Sequence, residues 1–164
     1  MTAELFLGGW DLGGWDRVLL PGLTAALVSF VLILWNQWRT RRRKHAAFWY
    51  AINAELKFSA GLAESVFAEP VVEAPLYRLP RSAFETCYPQ LLADGALSAA
   101  ENRALMTFFN EVETLNRGLD LVADTSDPEE RNQQHRRNCL KAERLAPDGA
   151  LYKEAAAAIA KHIK

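Results

Sequence analysis

The feature that most constrains this chain is an uncharged run from Val18 to Trp35, VLLPGLTAALVSFVLILW. Eighteen helical residues span about 27 Å, close to the roughly 30 Å hydrocarbon core of a bilayer. Backbone groups in lipid must be hydrogen-bonded within their own segment, so a single run of this kind has to be helical. The sequence therefore predicts a membrane-spanning helix over residues 18–38.

Two other interpretations of the run fit its flanks less well. Tryptophans lie near both ends, as is typical of membrane interfaces and not of a buried core helix; those predicted to border the membrane are Trp15, Trp35 and Trp38. A cleaved signal peptide needs basic residues before the apolar run, whereas here they follow it. We therefore expect the segment to be kept as an anchor.

The charges on either side of the run predict its orientation. Residues 1–17 carry three acids and one base, whereas residues 36–50 carry five bases and no acid. The bases form a predicted stop segment: Arg39, Arg41, Arg42, Arg43 and Lys44. By the positive-inside rule the N-terminus faces outward and the rest of the chain lies in the cytoplasm, with the anchor in the inner membrane. Whether this cluster also binds particular lipids stays open.

These signals divide the chain into four parts. We expect a short extracytoplasmic N-terminus (1–17), a transmembrane helix (18–38), a basic stop segment (39–45) and a cytosolic helical domain (46–164) with a proline-rich connector (69–81). After residue 50 there are 17 acids and 13 bases, so this part is net −4. That balance is unlike a nucleic-acid-binding surface, which is usually basic. The predicted fold is all-α: one N-terminal transmembrane helix followed by a small cytosolic helical bundle.

Local signals predict where the helices of the domain begin and end. No glycine or proline occurs between Leu23 and Ala60, so one helix is expected to continue from the anchor into the domain. A 3-4 spacing marks its expected buried face: His45, Trp49, Ile52, Leu56, Ser59, Ala63 and Val66. We expect Asn53 and Glu55, off this spacing, to be solvated.

Further along the chain, capping signals and helix breakers alternate. Ser82 with Glu85 and Ser98 with Glu101 each fit the capping box of a helix start. Pro89 and Gly95 are predicted to end the first of these helices. Asp127 and Pro128 are predicted to start another helix, and a last helix is expected after Pro147, extending to Lys164.

Two sets of residues are predicted to pack helices together. The first is a regular apolar stripe over residues 98–123: Leu105, Phe108, Val112, Leu115, Leu119 and Val122. It either closes the core of the domain or pairs two protomers. The second is a strip of small residues in the anchor: Gly22, Ala25, Ala26 and Ser29. Such residues let membrane helices approach closely, so the chain is a candidate homo-oligomer.

The sequence contains no residue pattern that indicates an enzyme. His135 and Cys139 are four apart on a predicted helix and suit a metal, but no third ligand is near them in sequence. Cys87 has no catalytic signature around it, and a small buried cysteine is the usual case. We therefore predict no catalytic residue, no metal and no cofactor.

Four segments, RTRRRK (39–44), AINAELKFSAGL (51–62), LPRSAFETCY (79–88) and FFNEVETLNRGL (108–119), give the chain a recognisable layout. Over residues 18 to about 120 it resembles a loose group of small bacterial single-pass membrane proteins of uncharacterised function with a helical cytosolic domain. The resemblance implies an anchored helical domain and brings no catalytic residue with it.

The sequence thus predicts a single-pass membrane-anchored helical protein that acts by binding or scaffolding. Its expected partners are the lipid bilayer, an unidentified protein and, as an open alternative, a second copy of itself. The other function considered is a membrane-disrupting effector, of the toxin or phage-defence type, whose helical domain controls self-assembly of the anchor.

Overall fold

The computed structural model describes residues 15–68 and 77–163, with side chains described for residues 23–66 and 77–163. These residues form five helices: α1 (Trp15–Ala68), α2 (Ser82–Ala93), α3 (Ala99–Asp124), α4 (Pro128–Leu145) and α5 (Ala150–Ala160). The predicted all-α fold is confirmed for this part of the chain. Residues 1–14, 69–76 and 164, and the side chains of residues 15–22 and 67–68, lie outside the described part of the chain.

Contacts within the chain divide it into two compact units, Met1–Arg42 and Arg43–Lys164. In the first unit the described residues all belong to α1, whose bounds include the predicted uninterrupted stretch from Leu23 to Ala60. Within the described residues, no helix combines the length and the apolar character needed to cross a bilayer. The assignment of residues 18–38 as a membrane span stays a prediction, and the side chains of residues 18–22 are not among those described.

The second unit is a bundle with one apolar core. From α1 it buries Trp49, Ile52, Leu56, Ala63 and Val66, and also Ser59, as the 3-4 spacing predicts. His45, the first residue of that spacing, is only partly buried. All six residues of the α3 stripe are buried by the single chain, so the stripe is core of this unit. The ring of Phe84 in α2 stacks on Phe109 in α3, with centroids 4.2 Å apart. Helix α3 also packs against α4 and α5, and is the element around which the bundle is built.

Two of the predicted helix starts are confirmed. Ser98 caps α3 in a full capping box: its hydroxyl accepts from the Glu101 N–H, and the Glu101 carboxylate accepts from the Ser98 N–H. Asp127 caps α4, and Pro128 occupies the first turn, where its missing N–H costs nothing. Helix α5 ends at Ala160 instead of continuing to Lys164.

Helix α2 differs from its prediction at both ends. Ser82 is the first helical residue and not the cap, and the residue before it, Arg81, makes no side-chain cap. Pro89 does not end the helix, which continues to Ala93. Pro89 lies on the exposed side, where water can bond the carbonyl that its missing N–H leaves free. Gly95, at φ 65°, does terminate it.

The described end of the connector, residues 77–81, is held between α1 and α3. The Asn116 side chain forms a pair of 2.9 Å hydrogen bonds with Leu79, accepting from its N–H and donating to its C=O. The Ser59 hydroxyl donates to the carbonyl of Pro80. The side chain of Leu79 is buried in the core. The non-helical backbone therefore has partners from both neighbouring helices, which fixes where α2 begins.

Candidate functional site

The most unusual surface of the molecule is the apolar part of α1 in the first unit. Leu23, Leu27 and all residues from Phe30 to Trp35 are exposed, Leu27 to 63%. Since successive helical residues point 100° apart, six consecutive exposed side chains cover every direction around the helix. A monomeric soluble protein rarely exposes apolar surface of this extent. Within the described residues, nothing covers this apolar surface.

Aromatic and basic side chains follow this surface directly. Trp35 and Trp38 lie with ring centroids 5.5 Å apart, and the Arg42 guanidinium sits 4.0 Å above the Trp38 ring. Arginine on an aromatic face is a favourable cation–π arrangement. The five basic residues of the predicted stop segment are all exposed. The order along α1, apolar, then tryptophan, then basic, is the order of layers from the core of a bilayer to its headgroups.

The small residues predicted to pack anchors together are accessible where they are described. Ala25, Ala26 and Ser29 are exposed, whereas the environment of Gly22 lies outside the described side chains. Their exposure leaves the face free for another helix. The structure of a single chain does not bring them against anything.

A second apolar surface lies on the part of α1 that belongs to the second unit, and sequence reasoning missed it. Tyr50 and Phe58 are 53% and 62% exposed, although the opposite side of the same helix is core. Small exposed residues lie between and beside them. Together they make a surface that we call the α1 seam: Ala47, Tyr50, Ala54, Phe58 and Gly61. Their 3-4 spacing was visible in the sequence, but the parallel spacing of Trp49, Ile52 and Leu56 obscured it.

The buried carboxylate of Glu55 was predicted to be solvated, and that prediction is wrong. Glu55 is 7% exposed, and its oxygens accept hydrogen bonds from the Ala83 N–H (2.9 Å), the Phe84 N–H (2.7 Å) and the Ser82 hydroxyl (3.3 Å). It therefore caps α2 from a different helix. The signal was available, because Glu55 is three residues after Ile52 and four before Ser59, both of which are buried.

A second carboxylate, Glu101 at the start of α3, lies beside Lys161 and His162, which follow α5. Its Oε1 is 3.3 Å from His162 Nε2 and 3.6 Å from Lys161 Nζ, and the His162 ring stacks on Trp49 with centroids 4.1 Å apart. Burial raises the pKa of Glu101, but hydrogen bonds with Ser98 and the charge of His162 outweigh it, so the pKa lies below its ordinary value. The ionised carboxylate is thus a structural tie between the start of α3 and the end of α5.

The pair predicted as possible metal ligands does come together. Cys139 Sγ lies 3.3 Å from His135 Nε2 on α4. Burial raises the pKa of the Cys139 thiol and lowers the pKa of the His135 imidazole. Both shifts favour the neutral forms and disfavour the thiolate–imidazolium pair of a cysteine nucleophile. Within the described residues, no group of three or more ligating side chains surrounds them.

Cys87 is buried in the apolar core of the second unit. Burial raises the pKa of its thiol, and the nearby charge of Glu55 raises it further. It behaves as the small apolar core residue that the sequence predicted. A buried thiol with a raised pKa is a poor nucleophile.

Comparison of the chain with protein-family models, with curated proteins and with solved structures finds no match. The resemblance to small single-pass membrane proteins stays a prediction.

Proposed function

We propose that this chain is a single-pass membrane protein whose helical domain, anchored at the cytoplasmic face of the inner membrane, acts as a binding or scaffold module. The observation that carries the proposal is the exposure of apolar side chains around the whole of α1 between Leu23 and Trp38. Burying apolar surface is worth roughly 25 cal/mol per Å², so leaving this segment in water would be costly. A bilayer covers a helix on all sides at once.

The residues after this segment support both the anchor and its orientation. The exposed cluster from Arg39 to Lys44 would lie among phosphate headgroups, where each basic residue contributes about 1 kcal/mol. Trp35 and Trp38 precede it at the depth where tryptophan is enriched. The same charge asymmetry favours a cytoplasmic domain and an outward N-terminus.

Binding, not catalysis, is the activity that the domain's chemistry favours. Glu55 and Glu101, its buried carboxylates, are both occupied in holding helix starts. The shifted pKa values of Cys139 and His135 favour uncharged side chains. In contrast, the α1 seam offers exposed apolar surface of the kind that recognises another protein.

The anchor is tested by placing charges in it. In the full-length chain expressed in bacteria, we expect Leu27→Arg with Val31→Asp to move the protein from the carbonate-resistant membrane fraction to the soluble or aggregated fraction. Each charge near the bilayer centre costs about 3 kcal/mol. Leu140→Asp, at a position equally exposed on α4, is the matched control and should stay in the membrane fraction. Retention of the double variant in carbonate-washed membranes would contradict the anchor.

The membrane potential of cells that express the chain distinguishes the effector alternative from the binding module. The native chain is compared with one in which residues 18–35 are replaced by polyleucine, which keeps the anchor and removes its specific side chains. A binding module should leave the potential unchanged in both cases. Depolarisation by the native chain alone would favour the membrane-disrupting effector and overturn the scaffold assignment.

A further inference from the structure

We propose that the α1 seam is a docking surface for the same seam of a second copy of this chain, with the two α1 helices parallel. This inference rests on the proposed membrane anchor, because the anchor sets the orientation of the two copies. It goes beyond it by naming the surface and the partner. The seam lies within the second unit, on the side of α1 that faces away from the core.

The seam has the shape of a helix-pairing surface. Ala47, Ala54 and Gly61 are seven residues apart, and Tyr50 and Phe58 lie between them. All five are exposed, and the space around Gly61 is open, with nothing within 4 Å of where a Cβ would stand. A seven-residue repeat keeps one face of a helix turned toward a partner helix over its whole length. Small residues at that repeat allow close approach of the backbones, and the rings fill the space beside them.

A second copy fits this surface better than an unrelated partner for a geometric reason. From Ala47 to Gly61 the seam extends about 21 Å along the helix, at a rise of 1.5 Å for each of 14 steps, and it is narrow, so it suits another helix of matching length. The same charge asymmetry orients both copies in the same way in the membrane. Their α1 helices are therefore parallel, and their seams lie at the same height above the membrane. The five seam residues carry no charge, so they bring no like charges together.

The sequence upstream supports pairing of like helices. The same 3-4 spacing continues through Thr40, Asn36 and Ser29, which belong to the predicted anchor and its flank. The Thr40 hydroxyl donates to the Asn36 carbonyl at 2.8 Å and is thereby satisfied within its own helix. The carboxamide of an Asn in or near lipid is stabilised by hydrogen bonding to the same group of a parallel helix. Arg43 also falls on this spacing, at the level where anionic headgroups offset like charge.

The test is disulfide crosslinking of the full-length chain in native membranes. Single cysteines replace Ala47, Ala54 or Gly61 in a background with Cys139→Ser, while Cys87 is buried and stays. Control cysteines are placed at Leu140 and Ala160, which are exposed on α4 and α5. We expect the three seam positions to form dimers on oxidation several-fold more than the controls. Adding Tyr50→Ser with Phe58→Ser to the Ala47→Cys chain should reduce its dimer to the control level.

The outcomes separate this inference from the anchor. A chain that stays in carbonate-washed membranes but crosslinks equally at seam and control positions keeps the anchor and overturns the seam. Crosslinking at the seam that survives the double serine substitution would also overturn it, because the rings would then play no part. A chain that leaves the membrane fraction but still crosslinks at the seam would overturn the anchor and keep the pairing surface.

Discussion

The carboxylate of Glu55 shows how much one side chain contributes to the bundle. It accepts from two backbone N–H groups at the start of α2 that have no partner within that helix. Glu55→Ala leaves the buried Phe84 N–H and the partly buried Ala83 N–H unpaired, and we expect the free energy of unfolding to fall by about 2 to 4 kcal/mol. Urea unfolding of the detergent-solubilised chain, followed by circular dichroism, measures this change.

The matched control for Glu55 is Glu64, which lies on the exposed side of the same helix. Glu64→Ala should change the unfolding free energy by less than about 0.5 kcal/mol. If Glu55→Ala destabilises no more than Glu64→Ala, the capping role of Glu55 is wrong.

Two helical glycines predict opposite effects of the same substitution. At Gly118 in α3, a Cβ would stand 2.1 Å from Oδ1 of the fully buried Asn138, so Gly118→Ala requires the Asn138 side chain or its helix to shift. We expect it to destabilise the chain by about 1 to 3 kcal/mol. At Gly61 the space is open, so Gly61→Ala should stabilise the helix by up to about 1 kcal/mol. Thermal unfolding in detergent compares the two.

A double variant identifies the cause of the Gly118 effect. Shortening the opposing side chain by Asn138→Ala removes the atom that the new Cβ would meet. Gly118→Ala should therefore cost less in that background than in the native chain. An equal cost in both backgrounds would place the strain elsewhere.

At the scale of helices, the capping box of α3 predicts how the stability of the chain changes at acid pH. The pKa of Glu101 lies below its ordinary value of 4.5, so the folded chain favours the ionised carboxylate. Its contribution to stability is complete above pH 4.5 and is lost as the pH falls through the lower folded value. We expect Glu101→Gln to be less stable than the native chain at neutral pH, and the difference to shrink below pH 4.5.

Unfolding by urea at several pH values measures this difference. Glu130→Gln, exposed in the first turn of α4, is the control and should run parallel to the native chain throughout. A difference between Glu101→Gln and the native chain that stays constant down to pH 3 would contradict the role of the ionised carboxylate.

The helices differ in how far their sequences determine them. The starts of α3 and α4 follow from local signals, because Ser98, Asp127 and Pro128 act within their own helices. The start of α2 could not be read locally, since its cap comes from Glu55, 27 residues before Ser82. Capping by a distant side chain depends on the tertiary arrangement, which the sequence of one helix does not contain.

The two faces of α1 also differ in how far the sequence predicts them. Apolar residues occur on both sides of this helix in the second unit, and the sequence alone does not tell which side the bundle covers. In the bundle, Trp49, Ile52 and Leu56 are buried, whereas Tyr50 and Phe58 stay outside. The apolar segment before it was evident in sequence because no side of it carries charge.

At the scale of the whole molecule, the charges that flank the proposed anchor are expected to determine the orientation of the chain in the membrane. Replacing the five bases of the stop segment by Gln, and Glu4, Asp11 and Asp16 by Lys, reverses the asymmetry across the apolar segment. The side with more Lys and Arg is kept in the cytoplasm, so we expect a large fraction of the domains to be translocated. A cysteine at Ala160, labelled by an impermeant maleimide in intact spheroplasts, reports the side on which the domain lies.

The control for orientation removes charge from the domain without touching the flanks of the apolar segment. Arg136→Gln with Arg137→Gln lies on the exposed surface of α4, far in sequence from the anchor. It should leave the Ala160→Cys chain unlabelled, as in the native arrangement. Because the rule acts mainly through charges within about 20 residues of the span, only the flank variant should expose the domain. Equal labelling of the two variants would mean that the basic cluster does not set the topology, and that its exposed side chains serve contacts at the membrane surface instead.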